Sequence, residues 1–412
     1  MSNKMVETSA PPSKKLCFAD LFSGPGGLSL GFKMSGLFEP VVAVEANSVV
    51  AQTYKKNIGV DVIESKVQAL TSADLLTKAT EHGYQSLDAI VGGPPCRPFT
   101  SANTGQTRWI KIREEQEKEK EEVDHPDWLS YWKIIEGLEP KPRAIVVENV
   151  MGLKKHDDVF AKFIDRLGRY YKTTFRELHA NLFGVPQKRT RIFIVGVRDF
   201  KGDPDTILPS NPEKFKKVSV KDAISDLPEL SNVQQLSNQL KYRSGRPSEY
   251  QKFMRKDSDR PQDHIVHVVH PTMAERFQYI PQGYNLRRTW VEGKIPDSIM
   301  LSKYSIGKAK KQFSESTLKN MHSNIYRRLK WDDSSITITH VRKTVMIHPL
   351  QNRLVSVREA ARLQSFPDSY RFSGSLSQQY QQVADAVPPL LAKAIAMHLG
   401  ALLLDKTSFE KS

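Results

Sequence analysis

Five short apolar runs, LCFADLF, PVVAVE, LDAIVGG, AIVVENV and RIFIVGV, recur between residues 16 and 200. Each is too short for a buried helix and rich in branched side chains. Such runs suit strands covered on both faces, and amphipathic stretches lie between several of them. The pattern predicts an α/β fold, a doubly wound parallel sheet, over 16–200. After Val197 the pattern changes. Residues 201–352 carry prolines, polar stretches and few periodic runs, which predicts an irregular second domain with short strands. RLVSVREAARLQS, 353–365, reads as an amphipathic helix. Residues 379–403 end in a long apolar helix expected to return to the first domain and pack on its sheet. The expected division is a loose tail over 1–15, a first domain over 16–200, a second over 201–375 and the returning helix over 376–404.

Charge separates the two domains. The chain of 412 residues has 61 Lys and Arg against 46 Asp and Glu, a net +15. Residues 201–352 alone hold 26 basic against 16 acidic residues, most of that excess. A basic segment beside a nearly neutral one fits a polyanionic partner, nucleic acid first, though a solvated basic surface gives the same count. REEQEKEKEE, 113–122, reads as a solvated helix or loop. No run of about 18 apolar residues stands out, so no membrane span is expected. Two cysteines build no disulfide framework, which fits a reducing cytoplasm.

Three loops at strand ends carry candidate chemistry. DLFSGPGGLSLGF, 20–32, follows the first strand. Gly24, Gly26 and Gly27 allow a sharp turn and let backbone N–H groups approach a ligand at a helix start. The next strand ends in Glu45, about twenty residues on, where an acid can accept bonds from ribose hydroxyls. A plain tight turn would use the same glycines. GGPPCRPFT, 92–100, sets Cys96 on a proline-stiffened loop beyond a strand. Stiffness suits a nucleophile, because misplacement by about 1 Å can cost ~100-fold in rate. Arg97 beside it favours thiolate. A structural cysteine in a proline turn is the plainer alternative. AIVVENV ends in Glu148 and Asn149, and QKRTRIFIVG places Gln187, Arg189 and Arg191 before a further strand. Arginines two apart on an extended chain share a face and can hold a base, a phosphate or a carboxylate. A structural ion pair is the alternative, for Arg189 above all.

Glycine turn, acid, PPC loop, ENV and QxRxR stand in one order. That order strongly resembles the cytosine-C5 DNA methyltransferases of bacterial restriction-modification systems. RLVSVREAARLQSFPDSY, 353–370, looks like the family's ninth motif, and QQYQQVADAVPPLLAKAI, 378–395, like its tenth. YRRL at 326–329, TIT at 337–339 and IHP at 347–349 also look like family features. The resemblance covers nearly all of 16–404.

It implies a Rossmann-like, S-adenosylmethionine-dependent methyltransferase domain with a smaller, irregular target-recognition domain. By that resemblance the catalytic residues are Cys96, which adds to carbon 6 of a flipped-out cytosine, Glu148, which bonds N3 and the exocyclic amine, and Arg191 at O2, with Arg189 in support. The cofactor contacts are Phe22, Ser23, Gly24, Gly26, Gly27, Glu45 and Pro95. Residues 100–125 correspond to a loop that closes on the base, and 201–352 to the target-recognition region. The implied partner is double-stranded DNA, beside a separate restriction endonuclease. The implied enzyme is a cytoplasmic, nucleoid-associated monomer with no membrane partner and no metal. A related group methylates cytosine in transfer RNA, and a catalytically impaired DNA-binding relative is the other alternative.

Three departures from the family pattern stand out. Arg97 replaces Gln. Ala384 and Asp385 replace Gly-Asn in the tenth motif, where Asp385 is expected near the cofactor's methionine end and its ammonium group. Ser65 and Lys66 stand where an acid contacts adenine, so that contact is expected either from elsewhere or from a shifted Asp61 or Glu64. HIVHVVH, 264–270, spaces His264, His267 and His270 three apart, a pattern that can bind zinc. Its valines favour a strand, which would split the histidines between faces.

Overall fold

The computed structural model describes residues 15–95, 125–155, 157–231, 240–299 and 326–405. The chain forms two compact units. The first runs to His179, resumes over Thr190–Pro212 and takes in the chain from Val387. The second holds Ala180–Arg189 and Glu213–Ala386. These boundaries differ from those expected at 200/201 and 375/376. A ten-residue loop inside the first region belongs to the second unit, and only the last helix returns.

The first unit is built on seven strands: β1 (Leu16–Leu21), β2 (Phe38–Val44), β3 (Val62–Ile63), β4 (Ala89–Gly92), β5 (Ala144–Asn149), β6 (Lys172–His179) and β7 (Thr190–Val197), in spatial order β3-β2-β1-β4-β5-β7-β6. β1 is buried at all six positions and β4 at all four, so both faces of the sheet centre are covered, as the apolar runs imply. α1 (Gly27–Met34), α2 (Ser48–Ile58), α3 (Ser72–Glu81), α4 (Pro126–Gly137) and α5 (Asp157–Gly168) follow along the chain. The sheet is not wholly parallel, which corrects the expectation. β7 runs antiparallel to both β5 and β6. β6 and β3 also go beyond the five expected strands. β6 is a polar edge strand, KTTFRELH, and β3 has two residues, so neither makes an apolar run.

The second unit carries α6 (Val220–Ile224), α7 (Glu249–Arg255), α8 (Pro271–Phe277), α9 (Leu286–Val291), α10 (Val341–Thr344), α11 (Val357–Leu363) and α12 (Leu376–Asp385). Two-residue parallel pairs, 335–336 with 187–188 and 346–347 with 327–328, join them. The expected helix over 353–365 shortens to α11. Ser356 caps it, and Glu359 reaches back to the Ser356 N–H at 2.7 Å, so the helix starts at the capping box and not at Arg353.

α13 (Pro389–Leu404) lies in the first unit, against α1. A Cβ on Gly31 would stand 2.4 Å from Ala392 Cβ and from Pro389 O, so only glycine lets the helices approach this closely. By length and composition, Leu376–Leu404 is apolar enough to cross a membrane, which corrects the expectation of no such run. It is broken between α12 and α13 at 386–388, and eight α13 residues are buried, the pattern of a core helix.

Candidate active site

The strand order reverses between β1 and β4. In open α/β sheets ligands bind beyond the carboxyl ends of the strands at this switch point. The glycine turn leaves β1 there, and the proline loop leaves β4.

The turn is strained and stapled. Phe22 has φ +56°, a left-handed value that is costly for an aromatic residue, and Gly24 and Gly26 follow at +54° and +92°. Glu45, at the end of β2, accepts from Gly24 N at 3.0 Å and from Asn47 N at 2.8 Å. Asn47 in turn caps α2 through Val49 N and Val50 N. A carboxylate offers about four acceptor sites, and these two bonds fix its orientation. A Cβ on Gly24 would meet nothing within 4 Å, so the turn opens onto free space. Ser23 Oγ is buried and has no hydrogen-bond partner among the described residues. An open glycine turn, an oriented carboxylate and an orphan hydroxyl fit a nucleoside-type cofactor.

Beneath the turn lies a network that sequence reasoning missed. Asp20 is buried at the end of β1 and accepts from Ser29 Oγ at 2.6 Å, and Tyr54 OH donates to Ser29 at 2.7 Å. Burial pushes the Asp20 carboxyl up to about 7, against the Ser29 hydrogen bond and with help from Glu45. Asp20 was visible only as one letter of the glycine motif.

Glu148 and Arg191 meet. Arg191 Nε lies 2.9 Å from Glu148 Oε1, both side chains being largely buried. The reversed direction of β7 makes this contact possible. Asn149 pairs with Ile192, so the start of β7 lies at the carboxyl end of β5. In a parallel strand Arg191 would begin at the opposite edge. A Cβ on Gly93 would stand 3.3 Å from Glu148 Oε2, so the second glycine of GGPPC makes room for the carboxylate. In the sequence, Asn149 is only the neighbour of Glu148. It is buried, donates from Nδ2 to Pro94 O at 2.9 Å and accepts from Val150 N at 2.9 Å. The stiff loop is thus tied to β5 at the second residue before position 96. Pro95 is half-buried and ends the described part of this loop. Cys96, Arg97, the stretch 100–124 and the charge run 113–122 lie outside the described residues.

Arg189 and Arg191 do not share a face, contrary to expectation. Arg189 N bonds back to Gln187 O at 3.0 Å, and this tight turn breaks the extended alternation. Arg189 belongs to the second unit, where its buried guanidinium donates to Ile338 O at 3.2 Å and Ala384 O at 3.0 Å. Gln187 accepts there from Ile338 N and donates to Leu363 O and Gln364. Asp385 is exposed at the end of α12, and its Oδ1 accepts from Gln381 Nε2 at 2.8 Å. Arg328 of YRRL faces inward and donates to the carbonyls of Ile280, His348 and Gln351. Asp61 precedes β3 and pairs with Lys55 at 2.7 Å, whereas Glu64 follows β3 at the ligand edge.

The three histidines have separate surroundings. The 261–270 segment forms neither strand nor helix beyond a turn. His264 is buried, with Nδ1 2.9 Å from Ser356 Oγ and Nε2 2.9 Å from Pro228 O. Burial pushes it down to about 4, so it stays neutral. His270 caps α8 through Thr272 N. Cys17 is a buried thiol that burial pushes up to about 12, which makes it inert.

The family model described as C-5 cytosine-specific DNA methylase matches residues 16–401. A type II methyltransferase of Desulfomicrobium norvegicum, M.DdeI, is 31% identical over 400 residues, covering 92% of this chain and 86% of its own. M.XorII of Xanthomonas oryzae pv. oryzae, also a type II methyltransferase, is 30% identical over 383 residues, with coverage of 91% and 82%. Among solved structures, a prophage-encoded E. coli protein assigned as a DNA modification methyltransferase has a similar fold. Its TM-score is 0.69 at 21% identity, over 94% of this chain and 99% of that one.

Proposed function

The chain belongs to the C-5 cytosine-specific DNA methylases, and from that premise we propose that it methylates carbon 5 of a cytosine flipped out of a short, specific duplex DNA sequence. Its role is that of the modification enzyme of a restriction-modification system, acting in the cytoplasm as a monomer beside a separate endonuclease. The observation that carries the reading is the Glu148–Arg191 pair at the sheet edge, next to the loop that leads to Cys96.

S-adenosylmethionine supplies an electrophilic methyl group when bound. Phe22, Ser23, Gly24, Gly26, Gly27, Glu45 and Pro95 are the residues that would hold it, with the Glu45 carboxylate as the acceptor for ribose hydroxyls. Carbon 5 of cytosine is a weak nucleophile, and covalent addition activates it. The Cys96 thiolate adds to carbon 6. Glu148 bonds N3 and the exocyclic amine, which stabilises the adduct, and Arg191 contacts the exocyclic oxygen O2 and helps orient the ring. After methylation the carbon 5 proton leaves and Cys96 departs, which restores the aromatic ring. Arg189 acts as scaffold within its own unit, through the carbonyls of Ile338 and Ala384.

The test is methyl transfer from labelled S-adenosylmethionine to duplex DNA and to transfer RNA, for wild type and Cys96→Ser, with bisulfite mapping. The expected result is label at one short DNA motif, lost in the variant. Label in RNA alone overturns the substrate, and label in neither overturns the reaction.

A further inference from the structure

In the second unit the turn over 281–285 runs antiparallel to the segment 326–331. Gly283 N donates to Arg328 O at 2.9 Å, Arg328 N to Tyr284 O at 3.0 Å and Leu286 N to Tyr326 O at 3.0 Å. This pairing gathers cations around one ring. The Arg288 guanidinium sits 3.9 Å from the centre of Tyr284, and the Lys294 ammonium sits 4.4 Å from it. Lys294 also donates to Tyr284 OH at 3.2 Å. Lys330 lies over Gly283, with its Cε 2.4 Å from where a Cβ would stand.

Among the described residues, one carboxylate pairs with this group. Glu292 accepts from Arg288 Nε at 2.7 Å and from Lys294 Nζ at 2.6 Å. Lys330 has no ion-pair partner among the described residues. Two buried arginines of the same unit are compensated by carboxylates: Arg353 by Glu359, and Arg362 by Asp226 and Asp368. Three cations against one acid therefore leave an uncompensated charge on an exposed face, with Arg288 58% and Lys294 44% exposed.

The geometry points to this face, Tyr284 with Arg288, Lys294 and Lys330, as a docking surface for the phosphate backbone of duplex DNA. The inference rests on the DNA-methylating reading and adds which face meets the backbone. The ring and Glu292 hold two long side chains in place, so contact with phosphate costs less side-chain entropy than for free lysines. Phosphate contacts fix position and carry no base information, so this surface contributes equally on every sequence. Glu292 is a repulsive group within it.

Affinity for several duplexes of different sequence, measured over a series of potassium chloride concentrations, tests the idea. The proteins are wild type, the triple variant Arg288→Gln/Lys294→Gln/Lys330→Gln, Glu292→Gln, and a control Lys55→Gln/Lys78→Gln in the first unit. Each phosphate contact contributes about 0.9 to the slope of log affinity against log salt, so the triple variant is expected to lose roughly 2–3. The loss is expected to be the same on all duplexes, and Glu292→Gln is expected to bind more tightly. An unchanged slope, a loss confined to one sequence, or a control that falls as far as the triple variant overturns the surface. Should the triple variant unfold, Glu292→Gln decides alone, and unchanged or weaker binding is the negative result. Failure of methyl transfer with the slope shift intact would sink the reaction and leave the surface standing.

Discussion

Arg191 Nε stands 2.9 Å from Glu148 Oε1, on neighbouring strands that run in opposite directions. The pair holds its geometry before any base arrives, so the base enters a preformed pattern of donors and acceptors. Removal of one such preorganised donor typically costs about 10²–10³-fold in kcat. Arg191→Ala and Glu148→Gln are each expected to fall by about that much or more, with duplex binding within a few-fold of wild type. Single-turnover methylation beside an equilibrium DNA-binding assay separates the two effects. Full activity in both variants would remove the pair from the mechanism.

Asn149 acts one step behind that pair. Its Nδ2 is the described donor to Pro94 O, at the second residue before Cys96, and both groups are buried. Asn149→Ala is expected to leave that carbonyl unsatisfied at a cost of about 1–3 kcal/mol and to lower kcat. Cofactor affinity, which depends on the turn after β1, is expected to stay unchanged. Asn149→Asp, isosteric but unable to donate when ionised, is expected to be no better than Ala. Calorimetric cofactor binding with alkylation rates of Cys96 is the readout, and a parallel loss of cofactor affinity would mean general damage to the sheet edge.

Asp20 gives stability a pH dependence of unusual sign. Burial raises its folded-state pKa from 3.8 to about 7, so the folded chain holds the proton more tightly than the unfolded one. Its contribution is full below the unfolded value and declines as pH rises toward the folded value, by at most about 1.4 kcal/mol per pH unit. Asp20→Asn cannot ionise and is expected to lose this decline. His264 and His348 act in the opposite sense. Burial depresses them to about 4 and about 3, so their contribution is lost as pH falls below the ordinary histidine value. Urea unfolding of wild type and Asp20→Asn across that range isolates the carboxyl. Parallel stability curves would show that Asp20 is not the group responsible.

The legible parts of the sequence were those where one physical demand sets the residue type. Burial on both faces demands branched apolar strands, so β1, β2, β4, β5 and β7 stood out. Strand direction leaves no mark on composition, and the reversal of β7 stayed hidden although it brings Arg191 to Glu148. The polar edge strand β6 and the two-residue β3 lack an apolar run and were missed for that reason. Arg189 and Arg191 look equivalent in QxRxR. A single backbone bond, Arg189 N to Gln187 O, sends them to different units. Long-range partners were equally invisible: nothing near Asn149 in sequence announces Pro94, and nothing near Asp20 announces Tyr54.

The Arg353–Glu359 pair separates a charge effect from a capping effect at the start of α11. Arg353 donates to both Glu359 oxygens, at 2.8 and 2.7 Å, and both side chains are 2% exposed. Burial alone would raise the Glu359 carboxyl, but Arg353 more than offsets this and holds it below the ordinary range. Glu359 also completes the capping box with Ser356. Glutamine fits that box as well as glutamate does, so Glu359→Gln keeps the cap and removes only the charge. It is expected to cost about 3–5 kcal/mol, because it leaves the Arg353 guanidinium buried without its counter-charge. The double variant Arg353→Met/Glu359→Gln removes the stranded cation and is expected to recover much of that loss, although the pair itself is gone. Denaturant midpoints of the two variants decide: a double variant as unstable as the single one would mean that the hydrogen bonds, and not the stranded charge, carry the energy.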